Sequence, residues 1–210
     1  MKRVVILGKG ELAIRVGQWF LDSYEHELSC VVPVTPEPIW TASLSKWANE
    51  KGILVIESGN YKDLEVSPDL AISIFYDKIF KAAFIESCGK IINLHNSPLP
   101  KYRGVSPINW ALKNRERTHG VTIHEITPGV DDGPIVGQIE YSIYPEFDEV
   151  EDVYTRALQY AYILFEQTAP LFDIIKATPQ DEARATYYDS SQNVHLGERR
   201  FFTRKEEVVR

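Results

Sequence analysis

Five short apolar runs, separated by segments of helical spacing, occupy the first half of the chain. Residues 4–7 (Val-Val-Ile-Leu) are continuous and mostly β-branched, the pattern of a strand buried on both faces. Residues 28–32, 53–56, 69–75 and 91–95 repeat it. Between them, residues 11–24 carry Leu12, Val16, Trp19 and Phe20 on one helical face. Residues 43–51 predict a shorter helix with Ser43 as N-cap and Gly52 as its stop, and residues 78–87 a third. Strand–helix–strand alternation implies right-handed crossovers. The fold predicted is α/β and Rossmann-like, a mostly parallel twisted sheet with flanking helices. Pro33 closes the second strand, and a Pro-rich loop follows through Pro36 and Pro38.

The pattern changes after residue 95. Residues 106–114 predict a helix with Ser106 as N-cap and Pro107 at its first position. Residues 121–126 and 134–143 predict two antiparallel strands, and residues 150–175 a long helix kinked near Pro170. Residues 1–178 then form one catalytic domain and 179–210 a short C-terminal extension. Tyr187-Tyr188 and Phe201-Phe202, around a turn-rich stretch at 189–193, predict a hairpin-like tail.

An apolar fraction of 44% supplies a core, and 25% charged residues suit a soluble chain. A net charge of −7 argues against general nucleic-acid binding through counterion release. Cys30 and Cys88 make no disulfide framework, and Cys30 reads as a small buried hydrophobe. No run approaches the roughly 20 apolar residues of a membrane span. The apolar stretch between Arg3 and Gly8 is too short for a signal peptide, so the cytoplasm is the expected compartment.

Chemistry-bearing residues gather at three places. Asn93 and His95 are two apart on a strand and share a face; Pro98 and Pro100 end that strand soon after. By spacing alone this pair is equally a structural histidine beside a turn former. Gly8-Lys9-Gly10 joins a strand to a helix, as a plain tight turn or an anion cradle. Ala13 replaces the third glycine of a dinucleotide fingerprint, and no acidic residue stands at 31–34. Asp131 and Asp132 sit in a turn between Gly129 and Gly133. A metal is not expected, because no second His or Glu arrives at ligand spacing. His124 shares a strand face with Thr122 and is expected to be half-exposed, while His26, His119 and His195 sit in polar contexts.

The string Asn93-Leu94-His95, then Ser97-Pro98-Leu99-Pro100-Lys101-Tyr102-Arg103-Gly104, resembles the signature of the folate-dependent N-formyltransferases. That family includes glycinamide ribonucleotide transformylase, methionyl-tRNA formyltransferase and the sugar-nucleotide N-formyltransferases. A second matching stretch is Gly120-Val121-Thr122-Ile123-His124 followed by Val130-Asp131-Asp132-Gly133-Pro134-Ile135. The resemblance is strong over residues 70–145. It implies formyl transfer from 10-formyltetrahydrofolate to a primary amine without a metal, with Asn93, His95 and Asp131 catalytic. It implies a folate pocket walled by Phe75, Tyr76, Lys78, Ile79 and Phe80 and, opposite, by Ile126, Gly129 and Val130; His124 would border it. For the acceptor it points to Gly8, Lys9 and Gly10, joined by Ser97, Lys101, Tyr102, Arg103 and Trp110.

Residues 101–104 with Pro107-Ile108-Asn109-Trp110 resemble the sugar and tRNA branches. The acidic charge and the short stretch after the long helix favour a small nucleotide-linked amine, such as a dTDP-4-amino-4,6-dideoxy sugar. No nucleic-acid or membrane partner is expected, and a homodimer is left open. The alternatives are a glycinamide ribonucleotide transformylase, a methionyl-tRNA formyltransferase-like enzyme, a formyl-folate hydrolase, a formylation domain of a peptide synthetase, and a non-catalytic folate- or nucleotide-binding module. The intact Asn93, His95 and Asp131 set argues against the last.

Overall fold

A computed structural model describes residues 1–196. In chain order the elements are β1 (Lys2–Gly8), α1 (Gly10–Leu21), β2 (His26–Pro33), α2 (Leu44–Glu50), β3 (Leu54–Val55), β4 (Leu70–Ile74), α3 (Ala82–Ser87), β5 (Lys90–His95), β6 (Arg103–Gly104), α4 (Pro107–Lys113), β7 (Thr118–Glu125), β8 (Ile135–Ser142), α5 (Val150–Thr168) and β9 (Tyr187–Tyr188).

Seven strands form one sheet in the order β3-β2-β1-β4-β5-β7-β8. The first five are parallel to one another, while β7 runs antiparallel to both its neighbours, β5 and β8. The chain first winds outward through β2 and β3, then returns to place β4 on the other side of β1. That reversal opens a crevice at the carboxyl ends of β1 and β4, where α/β sheets bind ligands. Gly8 makes the close approach there: its φ is +151°, and a Cβ would lie 1.9 Å from the Ile74 carbonyl oxygen.

Period-two alternation divides the core. Val4, Ile6, Ile72 and Ile92 face the larger apolar cluster, under α1 and α5, where Phe20 and Phe165 meet edge to face at 5.8 Å. Val5, Leu7, Cys30 and Ala71 face a smaller one, closed by Tyr61 and Phe80. Each Leu or Phe fully buried here contributes roughly 1.5–3 kcal/mol. A reciprocal capping box between Glu149 and Asp152 starts α5, which packs on α1, β7 and β8.

Several expected boundaries shift. The long helix ends at Thr168 and gives way to a 3₁₀ turn at Ala169–Leu171, because Pro170 brings no N–H to continue it. The helix expected from residue 78 starts at Ala82, after a loop that leaves β4 through Phe75 at φ 54°. The third strand shrinks to Leu54–Val55. Tyr187–Tyr188 pairs in parallel with Arg103–Gly104 as β9 on β6, not with a second arm of the tail. The other half of the expected hairpin, Phe201-Phe202, lies outside the described residues. Among the described residues no helix is long and apolar enough to cross a membrane.

Candidate active site

A cavity of about 570 Å³ opens at the crevice beyond β1, β4 and β5. Asn93, His95 and Asp131 all line it. Asn93 and His95 arrive from the last turns of β5, and Asp131 from the loop between β7 and β8.

His95 is buried, with Nε2 3.0 Å from the Tyr102 carbonyl oxygen and Nδ1 3.5 Å from Asp131 Oδ2. A carbonyl only accepts, so Nε2 donates to it and Nδ1 is left facing the carboxylate. The backbone N–H of Gly104 donates to the same Asp131 oxygen at 2.8 Å. On the other side, His124 Nε2 lies 3.5 Å from Asp131 Oδ1 and 3.1 Å from Asn93 Nδ2. Burial pushes the Asp131 carboxyl up, but the neighbouring His95 ring and the Gly104 N–H outweigh that, holding it well below the usual carboxylate range. Asp131 sits at φ 51°, a left-handed conformation that Asp tolerates better than most residues. Gln180 steadies it by donating to the carbonyls of Asp131 and Gly133, each at 2.7 Å.

Phe75, Tyr76, Lys78, Ile79 and Phe80 line the same cavity, as do Ile126, Gly129 and Val130 from the opposite side. Tyr61 and Tyr76 hold the first wall. Tyr76 Oη donates to the Gly59 carbonyl at 2.8 Å, and Tyr61 Oη accepts from the Lys81 N–H at 3.0 Å. Tyr76 stacks on Phe80, and Phe80 on Phe84. Asp132 accepts from the Thr127 hydroxyl and so serves the turn. Among the described residues no group of three or more His, Cys, Asp or Glu side chains could hold a metal ion.

The acceptor-side residues separate. Lys9 lines the cavity, whereas Gly8 and Gly10 only shape the turn that carries it. Ser97, Lys101, Tyr102, Arg103 and Trp110, expected at the acceptor, are not among the residues that line this cavity. Ser97 is buried and donates to the Lys101 carbonyl, and Lys101 borders a separate cleft with Glu116 and Arg184. Arg103 is buried with its guanidinium on Gln180 and Glu182, at 2.6–3.1 Å. Tyr102 and Trp110 both stack on Tyr188, at 5.7 and 4.3 Å. Tyr102, Arg103 and Trp110 thus hold the C-terminal segment, whose Gln180 in turn holds the Asp131 loop.

Two histidines also differ from expectation. His124 is not half-exposed but 2% exposed, because β8 covers its strand edge. His119 lies fully buried on β7, with Nε2 donating to the Asn96 carbonyl at 2.8 Å; burial pushes its imidazole down to about 4. Gln180 carried no sequence signal at all.

Residues 50–168, more than half of the chain, match the formyl transferase family. A methionyl-tRNA formyltransferase of Fervidobacterium nodosum is 34% identical over 66% of this chain and 42% of its own length. The bifunctional polymyxin resistance protein ArnA of Wigglesworthia glossinidia brevipalpis is 33% identical over 64% of this chain and 22% of its own. The chain thus spans less than half the length of these curated relatives. Among solved structures, the sugar 3N-formyltransferase WlaRD, crystallised in the presence of dTDP and 5-N-formyl-THF, superposes with a TM-score of 0.80 at 26% identity, over 91% of this chain and 71% of that one. An N-formyltransferase from Helicobacter canadensis, in complex with folinic acid and dTDP-3-aminofucose, gives 0.79 at 25% identity, over 91% and 72%. With its Rossmann-like sheet and this convergence of Asn93, His95 and Asp131, the chain belongs to the formyl transferase family.

Proposed function

We propose that this protein transfers a formyl group from 10-formyltetrahydrofolate to the primary amine of a nucleotide-linked sugar. The observation that carries the reading is the single cavity that joins an amide, an imidazole and a carboxylate to an aromatic-rimmed wall. Residues 75–80 and 126–130 fit a flat ring system, since Phe75, Tyr76 and Phe80 line the space opposite Ile126 and Val130. When bound, the folate supplies an electrophilic formyl carbon and a nitrogen leaving group.

The residues then divide the work. Asn93 donates an Nδ2–H to the formyl oxygen, which gains negative charge as the neutral amine attacks; such a donor is worth about 2.7–4 kcal/mol. His95 is anchored by Nε2–H donation to the Tyr102 carbonyl, so Nδ1, beside Asp131, is the nitrogen free to take up a proton. The proton released by the attacking amine reaches this His95–Asp131 pair and is returned to the departing folate nitrogen. A carboxylate held well below its usual range remains charged through that exchange and steadies the positive ring.

Lys9 supports a phosphate-bearing acceptor. It lines the cavity, and its ammonium stands 5.9 Å from the ring centre of Trp40, which is 62% exposed beside it. A cation beside an open aromatic face suits a phosphate with an attached base. The dTDP in the WlaRD structure and the dTDP-3-aminofucose in that of the Helicobacter canadensis enzyme support the same class. The 34% identity to a methionyl-tRNA formyltransferase favours a second reading, in which charged initiator tRNA is the acceptor. A net charge of −7 disfavours a long polyanion.

The test supplies 10-formyltetrahydrofolate with a dTDP-linked 4-amino sugar, glycinamide ribonucleotide or charged initiator tRNA at matched concentrations. Preference for the sugar nucleotide is expected. Preference for tRNA overturns the acceptor assignment, and transfer to none of a broad amine panel overturns the activity.

A further inference from the structure

Asn93 and His124 face each other directly across the β5–β7 pair. The Nδ1 of His124 lies 2.9 Å from the Glu125 carbonyl oxygen. That oxygen only accepts, so Nδ1 carries the hydrogen. In the neutral ring Nε2 is then a bare acceptor, and it needs a donor because the ring is 2% exposed. Two groups are close: Asn93 Nδ2 at 3.1 Å and Asp131 Oδ1 at 3.5 Å. The carboxylate has no hydrogen to offer, so the amide must supply one. A reversed amide would set its oxygen against the Nε2 lone pair.

We infer that His124 is a positioning residue for formyl transfer: its Nδ1–H tautomer, locked by the Glu125 carbonyl, fixes the Asn93 amide with its nitrogen toward His124. One Nδ2 hydrogen is held by the ring. The second stays free to meet the oxygen that gains charge. This rests on the role given to Asn93 in the proposed function. His124 touches no reacting atom and acts through Asn93 alone.

The surroundings define what undoes the arrangement. The titratable groups facing His124 are Asp131 from the loop and His95 from β5, whose ring centre is 6.3 Å away; Ile135 stands opposite on β8. A proton on Nε2 would turn that atom into a donor for Asp131 and remove the acceptor the amide needs. The amide would then have to turn over, taking its free hydrogen elsewhere. A neutral His124 and a correctly aimed Asn93 are one state.

The experiment has two arms. The first reads the His124 ring by ¹⁵N–¹H NMR in the unmutated, ligand-free protein at about neutral pH. A pyrrole-like Nδ1 and a bare Nε2 are expected; a hydrogen on Nε2 overturns the inference. The second compares two substitutions in kinetics, each checked for fold by thermal melting. His124→Gln places a carbonyl oxygen near the lost Nε2, while His124→Asn reaches only the Glu125 contact. His124→Asn should lower kcat about tenfold or more, within the 10²–10³ of a lost oxyanion donor, with the folate KM little changed. His124→Gln should recover most of that loss, and neither change should cost much further in an Asn93→Ala background. Equal losses in the two variants, or losses that multiply with Asn93→Ala, overturn the inference. Wild-type kcat in Asn93→Ala alone strikes the role of Asn93 instead, and the NMR result still stands by itself.

Discussion

His95 and Lys9 line one cavity, yet they are held in unlike ways. His95 ends a central strand, is buried, and has a protein oxygen at each ring nitrogen. Lys9 stands at the tip of a turn, with its ammonium near an exposed indole. The same contrast separates the Asn93–His124–Asp131 contacts from the rim at Trp40. Preorganised donors stabilise a transition state because they need no reorganisation at the moment of reaction. A rim of long, exposed side chains does the opposite: it adapts to what arrives and discriminates weakly. On the proposed function, chemistry sits on the sheet, and acceptor choice sits on the turn.

The largest effect that can break this comparison is on the rigid side. Asn93→Ala and His95→Ala should each lower kcat about 10²–10³-fold, with folate affinity by calorimetry nearly unchanged. A variant with near wild-type kcat would show that the buried cluster only builds the wall.

The next effect is on stability. His119 supports the strand end behind His95 through the Asn96 carbonyl, and its Nδ1 is buried with no partner among the described residues. Its imidazole is pushed down to about 4 by burial, against an ordinary 6.5. Between those values the unfolded chain binds the extra proton. Stability is therefore fullest above about pH 6.5 and falls as pH drops toward 4, by up to roughly 3 kcal/mol. His119→Gln keeps a donor for Asn96 but does not titrate, so its melting temperature should fall less over that range. Parallel melting curves against pH for the two proteins would remove His119 from the account.

The smallest effect sharpens the other side. Lys9→Ala should raise the acceptor KM about tenfold, the size of one lost charge-assisted contact, while kcat and the melting temperature stay put. A fall in kcat instead would mean that Lys9 belongs with the rigid cluster.

The parallel half of the sheet was legible because runs such as residues 4–7 and 91–95 are short, apolar and regularly interrupted. Asn93 and His95 were legible as a pair because side chains repeat every two residues on a strand. His124 was not legible as their partner, since strand register is a tertiary property and places it opposite Asn93 only once β7 pairs with β5. The intramolecular partners of Arg103 and Trp110 were hidden for a related reason. Nothing near them in the chain announces Gln180, Glu182 and Tyr188, over seventy positions later, which pack against them. The helix expected from residue 78 was overlong because nothing local announces the left-handed turn at Phe75.

Gln180 reaches back 49 positions to the Asp131 carbonyl. On a growing chain, Asn93, His95, His124 and Asp131 are therefore all synthesised before the side chain that steadies their loop. β6 likewise waits for β9, and Tyr102 and Trp110 wait for Tyr188. The sheet can form while the reactive centre is still loose. The arrangement of the candidate site thus depends on the docking of the segment around residues 180–188 as well as on the sheet beneath it.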